Sequence, residues 1–245
     1  EVLTATSWED VLQQIVDKLS AAAAESIIVI GSAQGTNEEN YLLRKLAHDV
    51  LKTDRIGLFG RKAGEEHKFP QFTIEADKNP NTRGARDMLG TSGNGKRSVI
   101  EGEKLWESLS DAKVVYLVNG SPGRPLTDTE RTALENVDFL IVQDIFLSDV
   151  AQLADVVLPS TTFTEKDGSF TNSAGWVQRI HKATDPPGEA RIDWEIIQQV
   201  AKRLAGEFEY HFAGEIAGEI ATTVPGYSEA THQQIGDCGV KLRDE

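Results

Sequence analysis

Four short apolar runs constrain this chain more than any other feature. They are Ile27-Ile28-Val29-Ile30, Val114-Val115-Tyr116-Leu117-Val118, Phe139-Leu140-Ile141-Val142 and Val156-Val157-Leu158. None shows the alternation of a half-exposed strand, so each reads as a strand buried on both faces, as in a parallel sheet. They stop at turn-prone residues: Gly31, Asn119-Gly120, Gln143-Asp144 and Pro159. Helical patterns lie between them. Val11, Leu12, Ile15, Val16 and Leu19 follow a capping-box-like Ser7/Asp10 pair, and Ala21 to Ala24 extend that helix. Thr36 is the expected N-cap of a second helix, with Glu39 reaching back to it, and Thr127 and Glu130 repeat this spacing. Asp193 caps a helix carrying Trp194, Ile196, Ile197, Val200 and Leu204, with Gly206 as its stop. Shorter helices are expected over 103–109, 148–153 and 213–220. The predicted fold is α/β: a doubly wound, mostly parallel sheet flanked by helices. The strand ends at Gly31, Asn119, Asp144 and Pro159 then gather along one edge, where such sheets bind ligands.

Two stretches break the rhythm. Residues 52–100 lack periodicity and read as a long irregular insertion, of the kind that is functional, packed on a partner or mobile. Asp167-Gly168, between Thr161–Thr164 and Ser169–Thr171, signals a small β-hairpin. The expected organisation is one α/β domain over 1–205, with a short helix and polar tail over 206–245 packed on it.

Composition excludes several function classes. With 25 basic and 39 acidic residues the net charge is −14, which opposes nucleic acid and anionic membrane as partners. The single cysteine, Cys238, permits neither an intramolecular disulfide nor an iron–sulfur cluster or four-cysteine zinc site held by this chain alone. No apolar run approaches the roughly 20 residues of a membrane helix. The sequence opens at Glu1 without a visible signal peptide, as expected of a fragment cut from a longer protein.

Single motifs carry little chemistry. Gly31-Ser32-Ala33-Gln34-Gly35 joins a strand to a helix, but it lacks G-x-G-x-x-G spacing, and Glu38 and Glu39 already occupy the positive end of that helix. Gly90 to Lys96 fits the G-x-x-x-x-G-K part of a phosphate loop, yet Arg97 stands where the magnesium-binding hydroxyl belongs. His211 and Glu215 can share a helix face, but no third ligand is in register, so no metal site is expected. Asn119-Gly120-Ser121 matches a glycosylation acceptor without any sign of secretion. No catalytic triad can be assembled. Asp144, Asp149, Asp155, Glu165 and Asp167 cluster near the expected ligand edge, where caps and turns also use such residues.

An ordered series of motifs resembles the molybdopterin oxidoreductase superfamily. It comprises Val142 to Phe146, Ala154 to Pro159, Glu165 to Asn172, Val177-Gln178-Arg179, Pro186 to Ala190 and Asp193-Trp194. Weaker matches lie at Thr36 to Tyr41 and Asn81 to Asp87. In catalytic members, the resemblance implies, positions matching Asp144 and Ser148 lie near the guanine-dinucleotide part of the cofactor, and the one matching Asn172 sits in a turn beside it. A carboxylate suits this role because it accepts two hydrogen bonds from a guanine edge. The sequence departs from the family pattern at Ser148-Asp149-Val150, at Ala174 and Trp176, where the family carries Glu and Arg, and at Asn119 to Gly123.

These departures point to a degenerate cofactor region. The chain is therefore most similar to the C-terminal region of the large iron–sulfur subunit of bacterial NADH:quinone oxidoreductase. This resemblance implies a cofactor-free scaffold without catalytic residues, with iron–sulfur clusters elsewhere in the parent chain and other subunits of a respiratory complex as partners. It also implies a cytoplasmic place, peripheral to the inner face of the cell membrane through those partners. On that reading Asp144 merely ends a strand and Asn172 merely forms a turn. The alternative is part of a catalytic molybdopterin-guanine-dinucleotide dehydrogenase such as formate dehydrogenase, in which Gly31, Asn119, Asp144, Ser148 and Asn172 face the cofactor.

Overall fold

The computed structural model describes residues 3–92, 95–96, 98–120 and 123–242, with the backbone alone described at 91–92 and 95–96. The helices are α1 (Trp8–Ala21), α2 (Asn37–Lys45), α3 (Thr82–Gly90), α4 (Glu103–Ser108), α5 (Asp128–Glu135), α6 (Asp193–Arg203), α7 (Ala213–Thr223) and α8 (His232–Ile235). The strands are β1 (Ile27–Ser32), β2 (Ile56–Phe59), β3 (His67–Lys68), β4 (Thr73–Ile74), β5 (Thr91–Ser92), β6 (Gly95–Lys96), β7 (Val114–Val118), β8 (Phe139–Asp144), β9 (Val156–Pro159), β10 (Gly168–Thr171), β11 (Trp176–Ile180) and β12 (Val240–Lys241).

Five strands form one all-parallel sheet in the order β2-β1-β7-β8-β9. The chain steps outward from β1 to β2, then returns across β1 to β7. The winding therefore reverses between β1 and β7, and the ligand crevice of an open α/β sheet lies outside the strand ends at that point. Both faces are covered. Ile27 and Val29 enter an apolar cluster with residues of α1, α2, α3, α6 and α7, while Ile28 and Ile30 enter a second with Leu105, Leu109 and Leu134 from the α4–α5 side. Burying each such side chain contributes about 1.5–3 kcal/mol. A separate antiparallel sheet, β10-β11-β12, packs β10 against α2, α3 and α7. The segment after residue 206 is tied back by Glu219, which accepts from Tyr41 Oη at 2.8 Å and from Lys45 Nζ at 2.7 Å.

The helix starts follow the expected caps. Ser7 Oγ accepts from Asp10 N, and Thr36/Glu39 and Thr127/Glu130 are complete capping boxes. Other local expectations are corrected. The first helix ends at Ala21, and a 3₁₀ turn over Ala24–Ser26 follows. A 3₁₀ turn over Ala151–Leu153 replaces the helix expected at 148–153. The hairpin turn lies at residues 172–175 rather than at Asp167-Gly168, because Gly168 itself pairs with Ile180. Asp193 is the first residue of α6 and leaves its cap position to Ile192. Ala205, at φ +61°, takes the left-handed turn that was expected of Gly206. The 52–100 stretch holds a sheet strand, β2, and a helix, α3. Their glycines hid them: a Cβ on Gly57 would stand 2.5 Å from Leu105, and one on Gly84 would stand 2.1 Å from Asn37 Oδ1.

Candidate ligand edge of the sheet

The carboxyl ends of the five parallel strands place Gly31, Phe59, Asn119, Asp144 and Pro159 on one edge. Asp144, the last residue of β8, is 3% exposed. One carboxylate oxygen accepts from Ile145 N at 2.7 Å and the other from Ser148 Oγ at 3.0 Å. With the Phe146 amide as a third donor, one of the carboxylate's roughly four acceptor sites is left for a ligand donor. Burial pushes the Asp144 carboxyl above its ordinary range, against the pull of Ser148 and the Ile145 and Phe146 amides. On the neighbouring strand Asn119 holds φ +54° and donates its N–H to Gln143 O. Asn tolerates this left-handed conformation better than most residues, and here it turns the backbone sharply at the strand end. Gly120 follows, buried, in a space where a Cβ would lie 1.9 Å from the Leu117 side chain, so packing demands a glycine there. Immediately after Asp144, Ile145, Phe146 and Leu147 are exposed.

A crevice of about 710 Å³ opens on the same edge, within the size range of small-molecule sites. Phe59 and Trp106 form one wall, in edge-to-face contact at 5.6 Å. Lys62 and Arg124 line it, and the Arg124 guanidinium makes a two-pronged bond to Glu130 at 2.7 and 2.8 Å. That guanidinium holds the Glu130 carboxyl down at about 2. Arg61 packs on Gly123 of the loop after β7, its Nε 3.0 Å from where a Cβ would be. Arg61, Lys62 and Arg124 thus lie around the loops after β2 and β7, with Glu103, Glu107 and Glu130 also lining the crevice. The β2 and β8 ends are three strand spacings apart, about 14 Å.

Beneath this edge runs a buried polar chain. Tyr116 Oη donates to Gln143 Oε1 at 2.8 Å, and Gln143 Nε2 donates to Asp193 Oδ1 at 2.8 Å. Asp193 Oδ2 accepts from Lys166 Nζ at 2.5 Å and from Thr161 Oγ1 at 3.3 Å. The Lys166 ammonium also lies 2.6 Å from Glu39 Oε1. Beside it, Glu38 accepts from Ser169 N and Oγ at 2.8 and 2.9 Å and contacts His232 Nε2 at 2.8 Å. Burial, reinforced by Asp193 and opposed by Lys166, pushes the Glu39 carboxyl up to about 7. The two carboxylates beside Lys166 outweigh its own desolvation and hold its ammonium above its ordinary value.

The anticipated residues part company here. Asp144 and Ser148 are bonded to each other, and Asn119 adjoins them through Gln143. Gly31 is buried under Asn40 and Leu89, which stand 2.5 and 2.8 Å from where its Cβ would be. Asn172 uses its side chain inside the hairpin turn, accepting from Trp176 N and donating to Gln178. Of the acidic set, Asp155 accepts from Leu140 N near the start of β8, Glu165 accepts from Thr162 N, and Asp167 lies 3.7 Å from Arg179. His211 and Glu215 form an exposed pair, and no metal-holding cluster exists among the described residues. The phosphate-loop-like stretch lies largely outside the described side chains. Lys166, Lys62 and Arg124 escaped sequence reasoning; only Lys166 had a signal, its place between Glu165 and Asp167 in the matched series.

The model of the family described as molybdopterin oxidoreductase matches residues 79–203. The F420-dependent formate dehydrogenase 1 subunit alpha of Methanococcus maripaludis is 42% identical over 142 residues, 56% of this chain and 21% of its own. A Staphylococcus haemolyticus protein provisionally named a formate dehydrogenase is 47% identical over 231 residues, 91% of this chain and 22% of its own. The NADPH-Fe(3+) oxidoreductase subunit alpha of Geobacter sulfurreducens is 38% identical over 140 residues, 54% of this chain and 17% of its own. Acetylene hydratase from Pelobacter acetylenicus superposes with a TM-score of 0.47 at 17% identity, over 61% of this chain and 22% of that one. The chain thus spans about a fifth of the length of the formate dehydrogenase relatives described. Those relatives overturn the expected assignment to the large subunit of NADH:quinone oxidoreductase, because they are named formate dehydrogenases. With its model matched from Asn79 to Arg203 of 245 residues, the chain belongs to the molybdopterin oxidoreductase family.

Proposed function

We propose that this chain is part of a molybdopterin-dependent dehydrogenase of the formate dehydrogenase kind, and that its sheet edge holds the guanine-dinucleotide end of the cofactor. The observation that carries this is Asp144: a buried carboxylate at a strand end beside the switch point, with acceptor capacity left for a ligand donor. The other residues fit the same group. The left-handed turn at Asn119 bends the backbone away from the strand end, and Arg61 and Lys62 supply positive charge for a pyrophosphate, while Arg124 is paired with Glu130. Ser148 orients the Asp144 carboxylate, and Asn172 shapes the hairpin turn. Gly31 serves this edge indirectly, by letting Asn40 brace the loop after β1: Asn40 Oδ1 accepts from Ser32 N and its Nδ2 donates to Ser32 O.

The metal carried by such a cofactor supplies the redox chemistry, and this chain's residues bind and orient. Relatives named as alpha subunits support a place among further subunits. No helix among the described residues is long and apolar enough to cross a membrane.

Titration calorimetry with guanosine diphosphate and adenosine diphosphate tests the reading. Guanosine diphosphate should bind, and Asp144→Asn should weaken it by about tenfold or more while leaving adenosine diphosphate unchanged, since bonds to a charged acceptor contribute about 1.5–3 kcal/mol. Equal affinity for both nucleotides, or an unaffected folded variant, would remove Asp144 from the guanine site.

A further inference from the structure

The cluster beneath the ligand edge has an unbalanced charge count. Glu39, Lys166 and Asp193 are 2%, 4% and 0% exposed, and they bring two carboxyl groups to one ammonium. Burying a net charge away from water is costly, and such sites neutralise by taking up a proton. The two carboxyls are not equivalent. Asp193 accepts from Lys166, Gln143 and Thr161. Glu39 accepts Thr36 N on Oε2, while its buried Oε1 lies 2.6 Å from the ammonium without a well-aimed hydrogen bond. Glu39 is therefore the less well satisfied of the two carboxyls and the one on which a proton costs less.

The charged and titratable groups facing this point are few. Lys166 comes from the loop after β9 and Asp193 from α6; Glu38 neighbours Glu39 on α2 and is engaged by His232 of α8. Tyr116 and Asp144 lie beyond Asp193 on β7 and β8. From β10 comes only Ser169, which is neutral. On α3, Asp87 turns to Tyr227, and on α7, Glu219 engages Lys45 further along α2.

We propose that Glu39, Lys166 and Asp193 form a buried proton-binding site, with the proton on the Glu39 carboxyl, which switches the junction between α2 and α6 from neutral to negatively charged as it leaves. The reaction is a protonation alone, and solvent supplies and receives the proton. The raised Glu39 value agrees with this and places the change close to neutral pH. The site needs no bound ligand and stands independently of the cofactor reading.

Infrared difference spectra of the whole chain between about pH 5.5 and pH 8.5 test this at the atom concerned. A buried protonated carboxyl gives a carbonyl stretch that vanishes on ionisation, and carbon-13 labelling of glutamate alone separates Glu39 from Asp144 and Asp193. The expected result is one glutamate band lost with a midpoint near 7, absent in a folded Glu39→Gln variant. A band that ignores glutamate labelling, or no band in the native chain at the lower pH, would overturn the proposal without recourse to any variant.

Discussion

Lys166 lies 2.6 Å from Glu39 and 2.5 Å from Asp193, with all three side chains 5% exposed or less. Exposed pairs such as Lys68–Glu66 exchange water for a partner and gain little. Here burial keeps bulk water from the group, so removing one member leaves the others uncompensated. Lys166→Met should therefore destabilise the chain by about 3–5 kcal/mol, read from the denaturant midpoint. A loss under about 1 kcal/mol would mean that the carboxyls simply take up a proton in the ammonium's place. Glu130 behaves oppositely to Glu39. Its folded value, about 2, lies below the ordinary 4.5, so its contribution is present above the ordinary value and is lost as pH falls through about 2. Glu130→Gln should flatten acid unfolding within that window, and an unchanged acid profile would contradict the pairing with Arg124. Glu39 has the reverse sign: its contribution is full below pH 4.5 and is lost as pH rises through about 7.

At the scale of elements, α3 shows how packing overrides propensity. Gly→Ala inside a helix ordinarily stabilises by about 1 kcal/mol. At Gly84 the added carbon would stand 2.1 Å from Asn37 Oδ1 and 2.2 Å from Asn81 Oδ1. Asn37 bonds Ser169 and Thr171, and Asn81 accepts from Thr171 N, so neither amide can move freely. Gly84→Ala should thus destabilise by about 1–3 kcal/mol, and a raised melting temperature would show that this junction yields. The same glycine explains why α3 was illegible in the sequence, as Gly57 explains β2. Elements whose signal was local were legible: the doubly buried runs became β1, β7, β8 and β9, and the Thr36/Glu39 and Thr127/Glu130 spacings became capping boxes. The hairpin turn was misplaced because Asp167-Gly168 carries a turn signal that pairing with β11 overrides.

Across the whole molecule, the strand order decides what the parts can do together. It brings Asn119 and Asp144 to adjacent strand ends, and their place on one edge followed from the doubly buried runs. It also collects Arg61, Lys62 and Arg124 around the loops after β2 and β7, more than 60 positions apart in sequence, which no local pattern could reveal. On a chain of net charge −14, such a gathering should matter chiefly for anions. Lys62→Glu should weaken guanosine diphosphate binding and reduce its dependence on salt, whereas equal affinity across ionic strengths would exclude the crevice as the phosphate end. As proposed, such an edge serves a pterin-dependent redox protein. The most direct measurement is metal and pterin analysis of the natural protein that contains this chain, purified from its host. Molybdenum or tungsten together with a guanine-linked pterin is the predicted result; a protein with iron and sulfide but neither pterin nor those metals would contradict it.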